Sequence, residues 1–272
     1  MLRTVIVWPL VLMGTFFWGA LSLMGSLFDA SGRFAHRCMV AWSVLNLRLC
    51  GVRLVVEGHE HVLRGSPQIF AANHQSAIDI IALAASLPVP FRFVAKAELF
   101  DLPFLGWHMR RAGYIAIVRE SPRAAARTLL KAADKLRSGV NAVIFPEGTR
   151  GETEELLPFK GGGFLLAVRS GAPIVPVGIW GTRAILAKGR LRLNPGPAAL
   201  VIGPPIASGG FAGSDRDRLA ESVREALAAC IERARGLAGE GARLASGSLG
   251  HDQRQAFDAE TGSGTGAVGQ RR

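Results

Sequence analysis

Asn73-His74-Gln75-Ser76-Ala77-Ile78-Asp79 interrupts two apolar runs. Before it, Gln68-Ile69-Phe70-Ala71-Ala72 reads as a short buried strand. After it, Ile80-Ile81-Ala82-Leu83-Ala84-Ala85 reads as the body of a helix. A histidine and a carboxylate thus occupy a strand-to-helix turn, beyond the carboxyl end of a strand, where α/β proteins keep their chemistry. On one continuous helix, five residues would put His74 and Asp79 about 140° apart, too far round to pair. With His74 in the turn and Asp79 in the first helical turns, the carboxylate reaches back to one ring nitrogen. That bond fixes the tautomer and leaves the other nitrogen free to take a proton. No nucleophilic Ser or Cys is evident beside the pair, so the proton would come from a substrate hydroxyl. The same residues also fit a plain helix start, capped by Asn73 or Ser76, beside an incidental histidine.

Outward from this turn the pattern is α/β. Val52–Glu57 alternates as a strand, Phe91–Ala95 and Tyr114–Val118 are further strands, and Ala142-Val143-Ile144-Phe145 is a continuous apolar one. Helices fall between them: one to about Leu87, stopped by Pro88 and Pro90, and one opened by Ser121-Pro122 and stopped at Gly139. A helix over about 163–170 precedes the strand Ile174–Ile179, and two edge-like strands, Leu191–Leu193 and Ala199–Ile202, close the sheet. Ser214 with Asp217 starts a last helix to about Arg235. Strands alternating with helices at this spacing predict a mostly parallel sheet covered by helices. After Gly236 large apolar residues almost vanish, which predicts a disordered basic tail over 236–272.

Several cations stand at strand ends. Phe145-Pro146-Glu147-Gly148-Thr149-Arg150 follows the most apolar strand, and its Gly-Thr turn with Arg150 suits a phosphate, or is an ordinary polar turn. Glu147 cannot bind phosphate; it suits buttressing an arginine or contacting a hydroxyl. Lys96 and Arg119 end two other strands, and with Arg150 they form a candidate phosphate cradle beside His74.

The 32 basic against 21 acidic side chains give a net charge of +11, which favours anionic partners. One tyrosine, no RNA- or DNA-reading motif and dispersed basic residues argue against nucleic acid. Cys38, Cys50 and Cys230 form no CxxC pair, so neither a disulfide framework nor a zinc site is indicated. Residues 4–28 carry no charge, a run of 25; as a helix they would reach about 37 Å, against a hydrocarbon core of about 30 Å. The run exceeds a signal-peptide core, so a membrane anchor is expected, whether spanning or lying in one leaflet. Arg33, His36, Arg37 and Arg48 follow it against Arg3 before it; if the run spans, this bias places the rest of the chain on the cytoplasmic side. The stretch from Met39 to Cys50 is either an interfacial helix or a core helix packed on the domain.

Four ordered blocks resemble the glycerolipid acyltransferases, and most nearly the 1-acyl-sn-glycerol-3-phosphate acyltransferases. These are Asn-His-x-x-x-x-Asp at 73–79, Gly113-Tyr114-Ile115-x-Ile117-x-Arg119, Phe145-Pro146-Glu147-Gly148-Thr149-Arg150 and Val175-Pro176-Val177. Lys96-Ala97-Glu98-Leu99 and Phe159-Lys160-Gly161-Gly162-Gly163-Phe164 also match, and the similarity covers roughly residues 52–205. Gly151 departs from the family pattern, where a serine often follows the arginine.

The apolar N-terminus predicts membrane-anchoring helices over 1–50, and the blocks fall in an expected acyltransferase domain over 51–235. The resemblance implies transfer of a fatty acyl group from acyl-CoA or acyl carrier protein, as co-substrate, to a lysophospholipid hydroxyl, with no cofactor or metal. His74 would be the general base and Asp79 its orienter. Lys96, Arg119, Glu147, Gly148, Thr149 and Arg150 would hold the glycerol phosphate, and Val175, Pro176 and Val177 would line the acyl or donor region. The product would be phosphatidate, made at the inner membrane. Three rivals differ in what they turn over: acylation of lyso-ornithine lipid or another lysolipid, lipid-surface binding without turnover, and hydrolysis without an acceptor. The missing Ser elbow and metal carboxylates lower the last.

Overall fold

The computed structural model describes residues 2–118, 122–209, 211 and 215–261. Seven strands form one sheet in the order β1-β7-β6-β2-β5-β3-β4. They are β1 (Val52–Glu57), β2 (Ile69–Ala72), β3 (Phe91–Lys96), β4 (Ile115–Ile117), β5 (Asn141–Ile144), β6 (Ile174–Trp180) and β7 (Gly196–Ile202). All neighbours run parallel except β6 and β7. The expected mostly parallel, helix-covered sheet is what forms.

The apolar run before the His74 turn is β2, and all four of its residues are buried, as a parallel strand covered on both faces requires. Ile69 and Ala71 face a core shared with α5 (Pro122–Arg137) and α6 (Gly162–Ser170), through Leu136 and Phe164. Phe70 and Ala72 face the opposite core, where Val143, Val175 and Val177 meet Leu83 of α3 (Ile78–Ser86) and Met39 of α2 (Arg33–Cys50).

Two strand expectations need correction. β7 is not an edge: it lies between β1 and β6. Leu191–Leu193 is not a strand, because α1 (Leu2–Gly25) takes up its backbone. Trp8 Nε1 donates to the Leu191 carbonyl at 2.7 Å, and the Leu193 N–H donates to Thr4 Oγ1 at 3.3 Å. Ser121 and Ser214, the expected helix caps, lie outside the described residues. The last helix, α8 (Arg216–Thr261), continues past the expected end at Arg235. Ala234 and Ala238 are buried against Ala199 and Val201 of β7, so the packing that holds the helix does not end at Gly236.

Residues 3–25 form a helix long and apolar enough to cross a membrane. α1 also touches the rest of the chain along its length. Arg3 donates to the Leu49 carbonyl at 3.2 Å, Trp42 Nε1 to Thr15 Oγ1 at 3.0 Å, and Ser22 Oγ meets His108 Nδ1 at 2.9 Å. α2 packs on α1 and α3 with Ala35, Met39 and Leu47 inward, the core-helix alternative of the two considered.

Candidate active site

The chain leaves β2 at its carboxyl end between β6 and β5, the strands on either side of it. Asn73 continues the sheet with its side chain: Oδ1 accepts the Ile179 N–H at 2.7 Å and Nδ2 donates to the Ile179 carbonyl at 2.9 Å. Pinned to β6 in this way, the backbone can turn at His74 and start α3 four residues later. Ser76 Oγ accepts the Ile78 N–H at 3.1 Å, capping that helix, while its hydroxyl donates to the Leu186 carbonyl at 2.7 Å.

Asp79 lies in the first turn of α3, wholly buried. Its Oδ2 meets His74 Nδ1 at 2.9 Å and accepts the N–H groups of Gln75 and Ser76 at 2.7 and 2.8 Å. Its Oδ1 accepts the Thr182 hydroxyl at 2.5 Å. With the other three partners all donating, the carboxylate is an acceptor in each contact, which assigns the proton of the His74 bond to Nδ1. The lone pair is then on Nε2. The His74 ring lies flat on Phe145, with centroids 3.9 Å apart and planes 16° from parallel. Phe145 in turn stacks on Phe93, so ring plane and tautomer are both set from outside the imidazole.

Glu147 is buried, and burial pushes its carboxyl above the ordinary range. Its two oxygens accept the N–H groups of His74 at 2.8 Å and Leu157 at 3.0 Å. The Gly151 N–H completes the strap by donating to the His74 carbonyl at 2.8 Å. Glu147 therefore holds the loop after β5 against the His74 turn. Each of its oxygens takes one backbone donor, and a carboxylate oxygen has a second lone pair to offer.

Of the other expected residues, Gly148, Thr149 and Arg150 follow Glu147 directly on this loop, with Thr149 exposed and Arg150 half-buried. Gly148 has φ +71, the left-handed turn that a glycine supplies without strain. Lys96 is exposed at the end of β3, two strands from β2 and so about 10 Å along the sheet. Arg119 lies outside the described residues. Val175, Pro176 and Val177 are buried inside β6, opposite Phe70, Ala71 and Ala72. They support the turn from beneath. Among the described residues, no group of three or more His, Cys, Asp or Glu side chains could hold a metal ion.

The acyltransferase family profile matches residues 53–180, from within β1 to the end of β6. The 1-acyl-sn-glycerol-3-phosphate acyltransferase of Saccharomyces cerevisiae is 35% identical over 239 residues, covering 82% of this chain and 77% of its own. This chain belongs to the 1-acyl-sn-glycerol-3-phosphate acyltransferase family. The crystal structure of the 1-acyl-sn-glycerophosphate acyltransferase from Thermotoga maritima is similar, with a TM-score of 0.71 and 29% identity, covering 85% of this chain and 97% of that one. A chloroplastic 1-acyl-sn-glycerol-3-phosphate acyltransferase of Brassica napus is 34% identical over 205 residues, 74% of this chain. The chain spans 58%, 57% and 48% of the length of three plant and algal relatives.

Within this family member, the sequence reading missed Thr182, Phe145 as a stacking partner and the strand-like role of Asn73. Thr182 had a findable signal. Gly181-Thr182 is the first small polar pair after the apolar strand β6, the same strand-end position that drew attention to His74.

Proposed function

We propose that this protein transfers a fatty acyl group from acyl-CoA or acyl carrier protein to the sn-2 hydroxyl of 1-acyl-sn-glycerol 3-phosphate, forming phosphatidate. The observation that carries the reading is the His74–Asp79 bond on a carboxylate whose other partners are all donors. His74 Nε2 takes the acceptor's hydroxyl proton as the oxygen attacks the thioester carbonyl. As the thiolate leaves, the imidazolium supplies the proton it needs, and Asp79 stabilises the imidazolium in between. No cofactor enters this scheme. Thr149 and Arg150 bind the acceptor's phosphate together with Lys96 and Arg119, on a turn shaped by Gly148, whose own N–H donates to the Phe145 carbonyl at 2.9 Å.

The reaction is placed at the cytoplasmic face of the inner membrane, where both soluble thioester carriers are found. α1 exposes Phe16, Phe17, Met24 and Leu27, and its contacts with the domain at both ends favour lying in one leaflet over crossing the bilayer.

His74→Ala should lower acyl transfer by about 10²–10⁴-fold, the usual worth of a positioned base, with acceptor binding intact. Near-wild-type turnover would defeat the mechanism. An acceptor panel setting lysophosphatidate against other lysolipids, with each carrier, tests the substrate: equal rates on lyso-ornithine lipid would overturn the phosphate reading.

A further inference from the structure

Between β3 and β4 the chain runs through a short 3-10 turn (Ala97–Asp101) into α4 (Leu105–Arg111). In this stretch Leu99, Leu102, Leu105 and Trp107 are 39%, 47%, 44% and 57% exposed. Single exposed apolar side chains are ordinary on a water-facing surface; four within nine residues form a patch. Trp107 also lines a depression of about 480 Å³ with Leu23, Met24, Arg111 and Arg110, which pairs with Asp101 at 3.2 Å at the surface, and with Leu27 just past α1. The patch is therefore continuous with the exposed apolar face of α1.

The stretch is fastened to α1. Phe104 has φ +64 and ψ −58, and the Leu105 N–H donates to the Pro103 carbonyl at 2.7 Å, closing a γ-turn that non-glycine residues rarely adopt. This strained turn directs the Phe104 ring onto α1, stacked on Phe16 at 5.6 Å. The ring fills the notch at Gly19, where a Cβ would lie 2.5 Å from it. Ser22 and His108 make the second tie. Where α1 goes, residues 97–111 go.

We propose that residues 97–111 form a second membrane-docking surface that seats anionic phospholipid, with acyl chains against Leu102, Leu105 and Trp107 and the phosphate on Arg110 and Arg111. An interfacial tryptophan beside arginines is the composition such a surface needs. The surface begins directly after Lys96, at the carboxyl edge of the sheet, so it brings the lipid plane up to the side of the fold that carries His74. The inference rests on the membrane reading of α1 given above, and the test separates the two.

The three native cysteines are buried, so the full-length protein can be labelled at Phe17→Cys, Leu102→Cys or Glu225→Cys with an environment-sensitive fluorophore. Each is mixed with vesicles of phosphatidylcholine containing phosphatidylglycerol and a lipid-borne quencher. Labels at 17 and 102 should shift to the blue and be quenched, and the label at 225 should not. Entry at 17 without entry at 102 overturns this inference alone, and entry at neither overturns the membrane reading with it. Entry at 225 as well points to unspecific adsorption and also overturns it. In a second arm, Arg110→Glu/Arg111→Glu should weaken binding to these vesicles at least about fivefold per arginine, and leave binding to pure phosphatidylcholine unchanged. Unchanged binding to the anionic vesicles, with a raised KM for a soluble donor, would assign the arginines to the donor and overturn the lipid site.

Discussion

The Thr182 hydroxyl donates to Asp79 Oδ1 at 2.5 Å, on the carboxylate oxygen that His74 does not use. Asp79 is thereby held from both ends, by its own turn on Oδ2 and by the start of the next helix after β6 on Oδ1. Thr182→Val keeps the shape and removes the donor, leaving Oδ1 buried without a partner at a cost of about 1–3 kcal/mol. If that cost falls on the orientation of the pair, kcat drops about ten- to a hundredfold, with KM for the acceptor little changed, and Thr182→Ser restores most of it. Steady-state kinetics on the three proteins checks this. A rise in KM at constant kcat would assign Thr182 to substrate binding.

Gly151 stands where the family often carries serine, and the structure has room for one. A Cβ there would meet the Thr153 carbonyl at 3.6 Å, the His74 carbonyl at 3.8 Å and Glu147 Oε2 at 3.9 Å, all ordinary contacts. Gly151→Ser should therefore leave stability within about 0.5 kcal/mol of wild type or raise it slightly, since the unfolded chain loses freedom. Thermal melts and acyl-transfer rates of the two proteins are the measurement.

Gly178 is less tolerant. A Cβ at this point of β6 would lie 2.3 Å from the Cys230 carbonyl carbon and 2.4 Å from the Ile231 nitrogen, both backbone atoms of α8. Neither can swing aside, so Gly178→Ala must push the helix off the sheet. The expected loss is about 2–3 kcal/mol, or roughly 5–10 °C in Tm for a chain of this size. A melt within a degree of wild type would mean that α8 is not seated on β6 as described.

His36 supplies a pH signature. Burial, with Arg92 adding to it, lowers this imidazole from 6.5 to about 4, and its Nδ1 is buried without a partner. Between those values the unfolded chain binds a proton that the folded chain refuses. The stability tied to this group is thus full above pH 6.5 and is lost as pH falls toward 4, by about 3 kcal/mol. Denaturant midpoints in detergent between pH 4 and 7 should fall more steeply for wild type than for His36→Asn.

How legible the fold and site were depended on sequence distance. Val52–Glu57 alternates and is a strand with those bounds. The His74–Asp79 pair spans five residues, close enough for spacing and turn geometry to suggest it. Thr182, Glu147 and Ile179 reach the same turn across 103, 73 and 106 residues. No periodicity records which strand end will lie beside which. The place of β7 failed for the same reason: its apolar run marks a strand but not its neighbours. Leu191–Leu193 carries strand composition, yet Trp8 and Thr4, 183 and 189 residues away, claim its backbone.

Those separations also set an order in time. A chain made from its N-terminus has α1 complete long before β6 exists, and non-local strand pairings close late. Until Ile179 arrives to hold Asn73, and Thr182 to hold Asp79, His74 has neither its pinned turn nor the second grip on its partner. On the proposed mechanism the nascent chain would therefore stay inactive until β6 and the turn after it have folded.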